Sequence, residues 1–205
     1  MPKYHSFWLR IAGICGLMTP PIVLPLIAIA ISRAPWFTWM ENALSDLGVF
    51  EASALSFNTG LIMGGVMTFV FAIGLMKEFG KQILWRAGSS VFALDAVALG
   101  AIGVFTEAFG ELHFYVSVAF FVLTPISLFL IGAAEIRGAK GKSLGVFTVL
   151  MGLVAALSWT FPRRGAAIPE IVSALAVSAW SMVLGYLLLK RDRAAASASP
   201  RLRSS

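Results

Sequence analysis

The sequence predicts an all-α polytopic membrane protein: a six-transmembrane-helix bundle with a short interfacial helix in the first outer loop. Three observations carry that prediction. Of 205 residues, 59% are hydrophobic and only 13% charged, against roughly 25% charged in a soluble domain, and mean hydropathy is +0.86. The apolar segments are continuous rather than alternating, and each approaches the roughly 20 residues a helix needs to cross the hydrocarbon core. Lys and Arg cluster in alternate connections, as the positive-inside rule requires.

The first span, 9–31, follows Lys3 and takes in Arg10 just ahead of its apolar run, 11–32. Its apolar run is too long for a signal-peptide core and no clean small-x-small cleavage site follows it. Pro20, Pro21 and Pro25 predict that this helix is kinked or partly unwound. The second span, 57–76, sets Gly60 and Gly64 four apart with Gly65 beside them, a spacing that lets helices approach closely. The third, 87–106, carries Asp95 near its middle. A mid-membrane carboxyl is expensive, and no span holds a Lys or Arg to pair with it. Asp95 is therefore expected to be hydrogen-bonded to Ser, Thr or backbone, or to be a proton or cation site. The fourth span, 113–134, opens on His113, with Ser117 and Thr124 further down the same face. That stripe reads as a water-accessible cleft or as hydrogen bonding between helices. The fifth and sixth spans are 144–161 and 169–189. One membrane domain covers 1–193, and the low-complexity end, 194–205, reads as a disordered tail.

With the N-terminus inside, every Lys and Arg except Arg33, Arg163 and Arg164 lies on the cytoplasmic side. Both termini are thus expected in the cytoplasm, with the protein in the cell membrane. The net charge of +6 belongs to this topology and calls for no nucleic-acid partner; membrane lipids are the expected partners. The acids sort oppositely. Glu41, Asp46, Glu51, Glu107, Glu111 and Glu170 fall outside, whereas Glu78, Glu135 and Asp192 fall inside. The single cysteine, Cys15, permits neither an intrachain disulfide nor a cysteine metal cluster.

The polar stretch "ENALSDLGVFEASALSFN", 41–58, stands out between two apolar runs. Wound as a helix over 36–47 at about 100° per residue, it places Thr38, Glu41, Asn42, Ser45 and Asp46 on one arc. Trp36, Phe37, Trp39, Met40, Ala43, Leu44 and Leu47 fill the other, and Gly48 ends the run. The expected element is an interfacial helix. It lids the outer mouth with its polar face inward, or simply turns that face to water.

Three outer connections then supply a candidate site. Asp46 and His113, assisted by Glu107 and Glu111, are the candidates for acid–base chemistry. Asp46, Glu107 and His113 are the candidate ligands of a divalent metal. With His5 on the other side of the membrane, such a metal would rely mainly on oxygen donors. Glu41, Asn42, Ser45 and Asn58 are candidate binding residues, and Arg163 and Arg164 would neutralise the acids or hold a lipid phosphate. "GVFEASALSFN" and "GVFTEAFGELHF" share a short pattern before a span, which hints at a repeated two-helix unit.

The motifs "NALSDLGVF", "FNTGL" and "GVFTE…ELHF" resemble the prokaryotic multi-pass family known as domain of unknown function 998. Ser45, Asp46, Leu47, Gly48, Phe57, Asn58, Gly60, Leu61, Glu107 and His113 match its pattern; Thr106 stands where proline is expected. The resemblance implies six helices and no particular activity. The Ser-Asp-x-Gly piece alone also resembles the damage-regulated autophagy modulator family. Three functions stay open: processing or binding of a lipid or small molecule at the outer face, a cation- or proton-linked transporter or channel built on Asp95 as a homo-oligomer, and a non-catalytic structural or lipid-binding role.

Overall fold

The computed structural model describes residues 2–138, 142–161 and 164–198. It contains six α-helices: α1 (Pro2–Ser32), α2 (Glu51–Phe79), α3 (Ile83–Val104), α4 (Glu111–Arg137), α5 (Lys142–Leu157) and α6 (Ala167–Ala198). Each packs on its neighbour in sequence, and α6 returns to α1, so the helices form a ring. One end, the acidic end, holds the α1–α2, α3–α4 and α5–α6 connections. The other, the basic end, holds the α2–α3 and α4–α5 connections and both termini.

Small residues bring the helices together. A Cβ on Gly65 would meet the Gly100 backbone nitrogen at 2.6 Å, and one on Gly185 would meet the Leu17 nitrogen at 2.6 Å. Gly132 and Gly145 face each other across α4 and α5 in the same way, while Gly60 and Gly64 face α1. The bundle's outer surface is apolar: Val66, Leu94, Val122 and Val146 are all exposed. Such a surface suits lipid, where helix association rests on close packing. Two cores lie inside the ring. Phe71, Phe92, Leu128, Trp180 and Leu184 fill the basic half; Val23, Ile27, Leu47, Phe57 and Ile102 fill the acidic half.

Several expectations are corrected. Among the described residues, five helices are long and apolar enough to cross a membrane by themselves. The exception is α5, which has 16 residues and spans about 24 Å at 1.5 Å per residue, short of the roughly 30 Å hydrocarbon core. The interfacial helix over 36–47 does not form. Residues 34–44 run as turns and irregular chain, and only Ser45–Gly48 closes a 3₁₀ turn. The amphipathic pattern loses for a local reason. The Asn42 side chain accepts from the Thr38 amide (2.9 Å), and Asp46 accepts from the Ala43 amide (3.0 Å), so side chains compete for the donors a helix needs. The Met40 and Asn42 carbonyls are taken by the amides of Gly165 and Ala167, both at 2.9 Å. α1 runs unbroken through its three prolines, so of the two expectations, kinked or partly unwound, the unwinding is not seen. α2 begins at Glu51 and contains the expected span, 57–76. α6 continues to Ala198, past the expected tail boundary at 194, and 199–205 lie outside the described residues.

Candidate functional site

The acidic end is assembled from the connection over 33–50, the α3–α4 turn and the start of α6. Asn42 donates through Nδ2 to Asp46 Oδ2 (2.9 Å), which also takes the Ala43 amide. Asp46 is thereby the brace of its own loop. The Ser45 hydroxyl leaves that loop and donates to Glu107 Oε1 at 2.7 Å, linking the first connection to the second. The Leu44 amide donates to Glu170 Oε2, linking it to the third. Glu170 sits in the first turn of α6, where an acid complements the helix dipole.

Glu107 is pushed above the ordinary glutamate value of 4.5, first by burial and then by the Asp46 carboxylate that repels it and shares a hydrogen bond with it. The Ser45 hydroxyl and His113 pull the other way. Gly110, at φ 56°, makes the turn from Glu107–Phe109 into α4 in a backbone region that disfavours side chains.

His113 is buried in the first turn of α4. Its Nδ1 lies 2.7 Å from the Phe105 carbonyl. A carbonyl only accepts, so Nδ1 carries the hydrogen, and in the neutral ring Nε2 holds the free lone pair. Ser117 Oγ lies 3.3 Å from that Nε2.

Two hollows meet here. A lateral groove of about 710 Å³ is polar at its head, where Ser45, Glu107, His113 and Glu170 line it, and apolar along α4 and α5, at Val118, Val122, Ile126 and Ala156. A smaller central cavity of about 100 Å³ lies inside the ring and is lined by Pro20, Leu61, Phe92 and Asp95 among others. Ser45, Ser117, Phe121 and Glu170 line both, so they form the partition between them. Asp95, fully enclosed in α3, is met by the Thr124 hydroxyl at 3.0 Å and 3.2 Å from its two oxygens.

The residues expected to act together divide accordingly. Ser45, Glu107 and His113 reach the groove, with Asp46 directly behind them. Glu41 and Arg164 pair loosely at 3.9 Å with both side chains exposed. Glu111 is exposed at the start of α4 and lines neither hollow. Asn58 pins α2 to the 3₁₀ turn through the Gly48 carbonyl (2.8 Å), while its buried Oδ1 has no partner among the described residues. Asn42 holds Asp46. Arg163 lies outside the described residues. Among the described residues, no three His, Cys, Asp or Glu side chains are grouped so as to hold a metal ion. Glu170 is the residue that sequence reasoning passed over. Its place in the "IPE" opening of α6, beside the other outer acids, was the available signal.

A family profile matches residues 17–187, nearly all of the ring and both hollows. The chain belongs to the family described as protein of unknown function, DUF998. The Ser-Asp-Leu-Gly turn, Asn58 and the Glu107–His113 turn of this DUF998 protein all fall within the match. The weaker likeness to the damage-regulated autophagy modulator family finds no support. No curated protein and no solved structure matches the chain.

Proposed function

We propose that this DUF998 protein binds a membrane amphiphile at the extracytoplasmic face, with the head group at Ser45, Glu107, His113 and Glu170 and the hydrocarbon tail along α4 and α5. The observation that carries this is the groove itself. It is apolar over most of its length, opens on the exposed apolar surface of α4, and ends at polar side chains. Those side chains are mostly acceptors: two carboxyls, an imidazole Nε2 and two hydroxyls. A head group rich in donors, an amine or a sugar, complements them better than a phosphate does. Arg164, exposed and facing Glu41, stands apart from the groove. On this reading α5 completes a sixth crossing together with the 3₁₀ turn Ser158–Thr160, which adds about 6 Å.

The test is lipid retention by the purified protein, read by native mass spectrometry after exchange into mixed lipids. Glyco- or aminolipids are expected to stay bound to wild type. They should be lost from Ala156→Trp, which fills the groove, and weakened about tenfold by Glu170→Gln. Equal retention by all three proteins would remove the proposal. Turnover of the retained lipid, lost in His113→Gln with binding intact, would add catalysis to it.

A second reading rests on Asp95. The partition residues set the groove beside the cavity that holds this carboxyl, which supports proton- or cation-linked passage. Flux into liposomes that disappears in Asp95→Asn would favour it.

A further inference from the structure

The basic end holds a hollow of its own, about 600 Å³, lined by Phe79, Trp85, Glu135, Leu144, Lys190 and Arg191 among others. It shares no lining residue with the central cavity. Between them lie Phe71, Phe92 and Trp180, three rings in mutual contact with centroids 5.0 to 6.1 Å apart. It is thus separate from the site at the acidic end.

Glu135 is its unusual member. The residue is 5% exposed. The Thr148 hydroxyl meets its Oε2 at 2.6 Å, and the Trp180 indole N–H donates to that same hydroxyl at 3.1 Å. Oε1 is buried and has no hydrogen-bond partner among the described residues. An enclosed carboxyl oxygen left without a donor is costly, so the hollow is built to receive one. Beside it, Phe79 and Trp85 stack at 4.3 Å and offer aromatic surface to a cation. The rim is opposite in character. Lys190 is exposed, and the Arg191 guanidinium lies over Phe79 while pairing with Glu78 at 3.1 Å. A plain anion would meet Glu135 at the bottom, and a plain cation would meet two basic side chains at the mouth. A molecule carrying both charges in that order meets neither obstacle.

We propose that the hollow at the basic end binds a zwitterionic group, a primary ammonium donating to Glu135 Oε1 and an anionic group, held by a short apolar link, resting at Lys190 and Arg191. Either a lipid head group or a free soluble zwitterion carries this chemistry. Two arms of one experiment separate them, using the full chain. In the first, the protein is placed in nanodiscs containing equal phosphatidylethanolamine, phosphatidylcholine and phosphatidylglycerol, and retained lipid is counted by native mass spectrometry. In the second, O-phosphoethanolamine is titrated calorimetrically against protein in detergent.

Retention of the ethanolamine lipid about tenfold above its choline counterpart, lost in Glu135→Gln and reduced in Lys190→Ala, assigns the lipid. Binding of O-phosphoethanolamine with the same dependence on both residues assigns the soluble source. Equal retention of the two lipids with no soluble binding overturns the proposal. So does undiminished binding in a monodisperse Glu135→Gln. Should that variant not fold, Leu144→Trp fills the hollow while leaving Glu135 and Thr148 in place, and the exposed Lys190→Ala stands beside it. Unchanged binding in those two is equally fatal.

Discussion

Glu107 shows how a single side chain ties geometry to pH. Its proton affinity is higher in the folded protein than the ordinary value of 4.5, so folding favours its neutral form. Its contribution is therefore fully present below the unfolded-state value. It declines as pH rises from 4.5 through the raised folded-state value, then stays at the lower level. Glu107→Gln, which keeps an acceptor for Ser45 and carries no charge, should flatten that decline. Thermal unfolding in detergent across roughly pH 4 to 8 should show a smaller loss of Tm for the variant than for wild type. Asn42 is the second instructive residue. It accepts from Thr38 and donates to Asp46 (2.9 Å), so Asn42→Ala should cost about 1 to 2 kcal/mol, measured by denaturant or thermal unfolding. It should also loosen Ser45 from Glu107.

At the scale of elements, the first connection holds a lesson about what periodicity can read. The division of residues 36–47 into polar and apolar arcs is complete, yet no α-helix forms there. The arcs describe a helix only if the backbone bonds inside the segment. Here the Met40 and Asn42 carbonyls bond instead to Gly165 and Ala167, more than 120 residues away. Gly165 is fitted tightly: a Cβ there would meet the Asn42 carbonyl oxygen at 2.5 Å. Gly165→Val should break this strap and lower lipid retention in the groove while leaving α1 to α4 intact, as judged by unchanged helical circular dichroism. Gly110→Ala acts on backbone alone, since nothing lies within 4 Å of its missing Cβ. A cost of about 1 kcal/mol is expected from the left-handed φ. The spans were legible because lipid demands long apolar helices. Their ends were not, because α2 gains its first turn, Glu51 to Ala54, from polar and small residues that hydropathy does not count. Ser53 there is buried and donates to the Leu47 carbonyl at 2.7 Å.

The whole molecule is a ring in which polar groups are stationed at three depths: Glu107, His113 and Glu170 at the acidic end, Asp95 midway, Glu135 toward the basic end. The expected orientation has a direct test. On a Cys15→Ser background, a cysteine at Gly110 should react with an impermeant maleimide from outside the cell, and one at Gly80 should not. The reverse pattern would invert the topology and both lipid assignments with it.

Composition and charge distribution by themselves determined that this chain is a bundle of apolar helices with most of its acids at one end and most of its bases at the other. Hydrophobic length and charge are properties each segment carries alone, and lipid reads them segment by segment. Which acids meet was decided only by the tertiary structure. Glu41 and Glu111 look as eligible in sequence as Glu107 and Glu170, yet only the latter pair lines the groove. Helix rotation sets that outcome, and it is fixed by where Gly65, Gly185 and Gly132 let neighbouring backbones touch, a contact between segments that no single segment encodes.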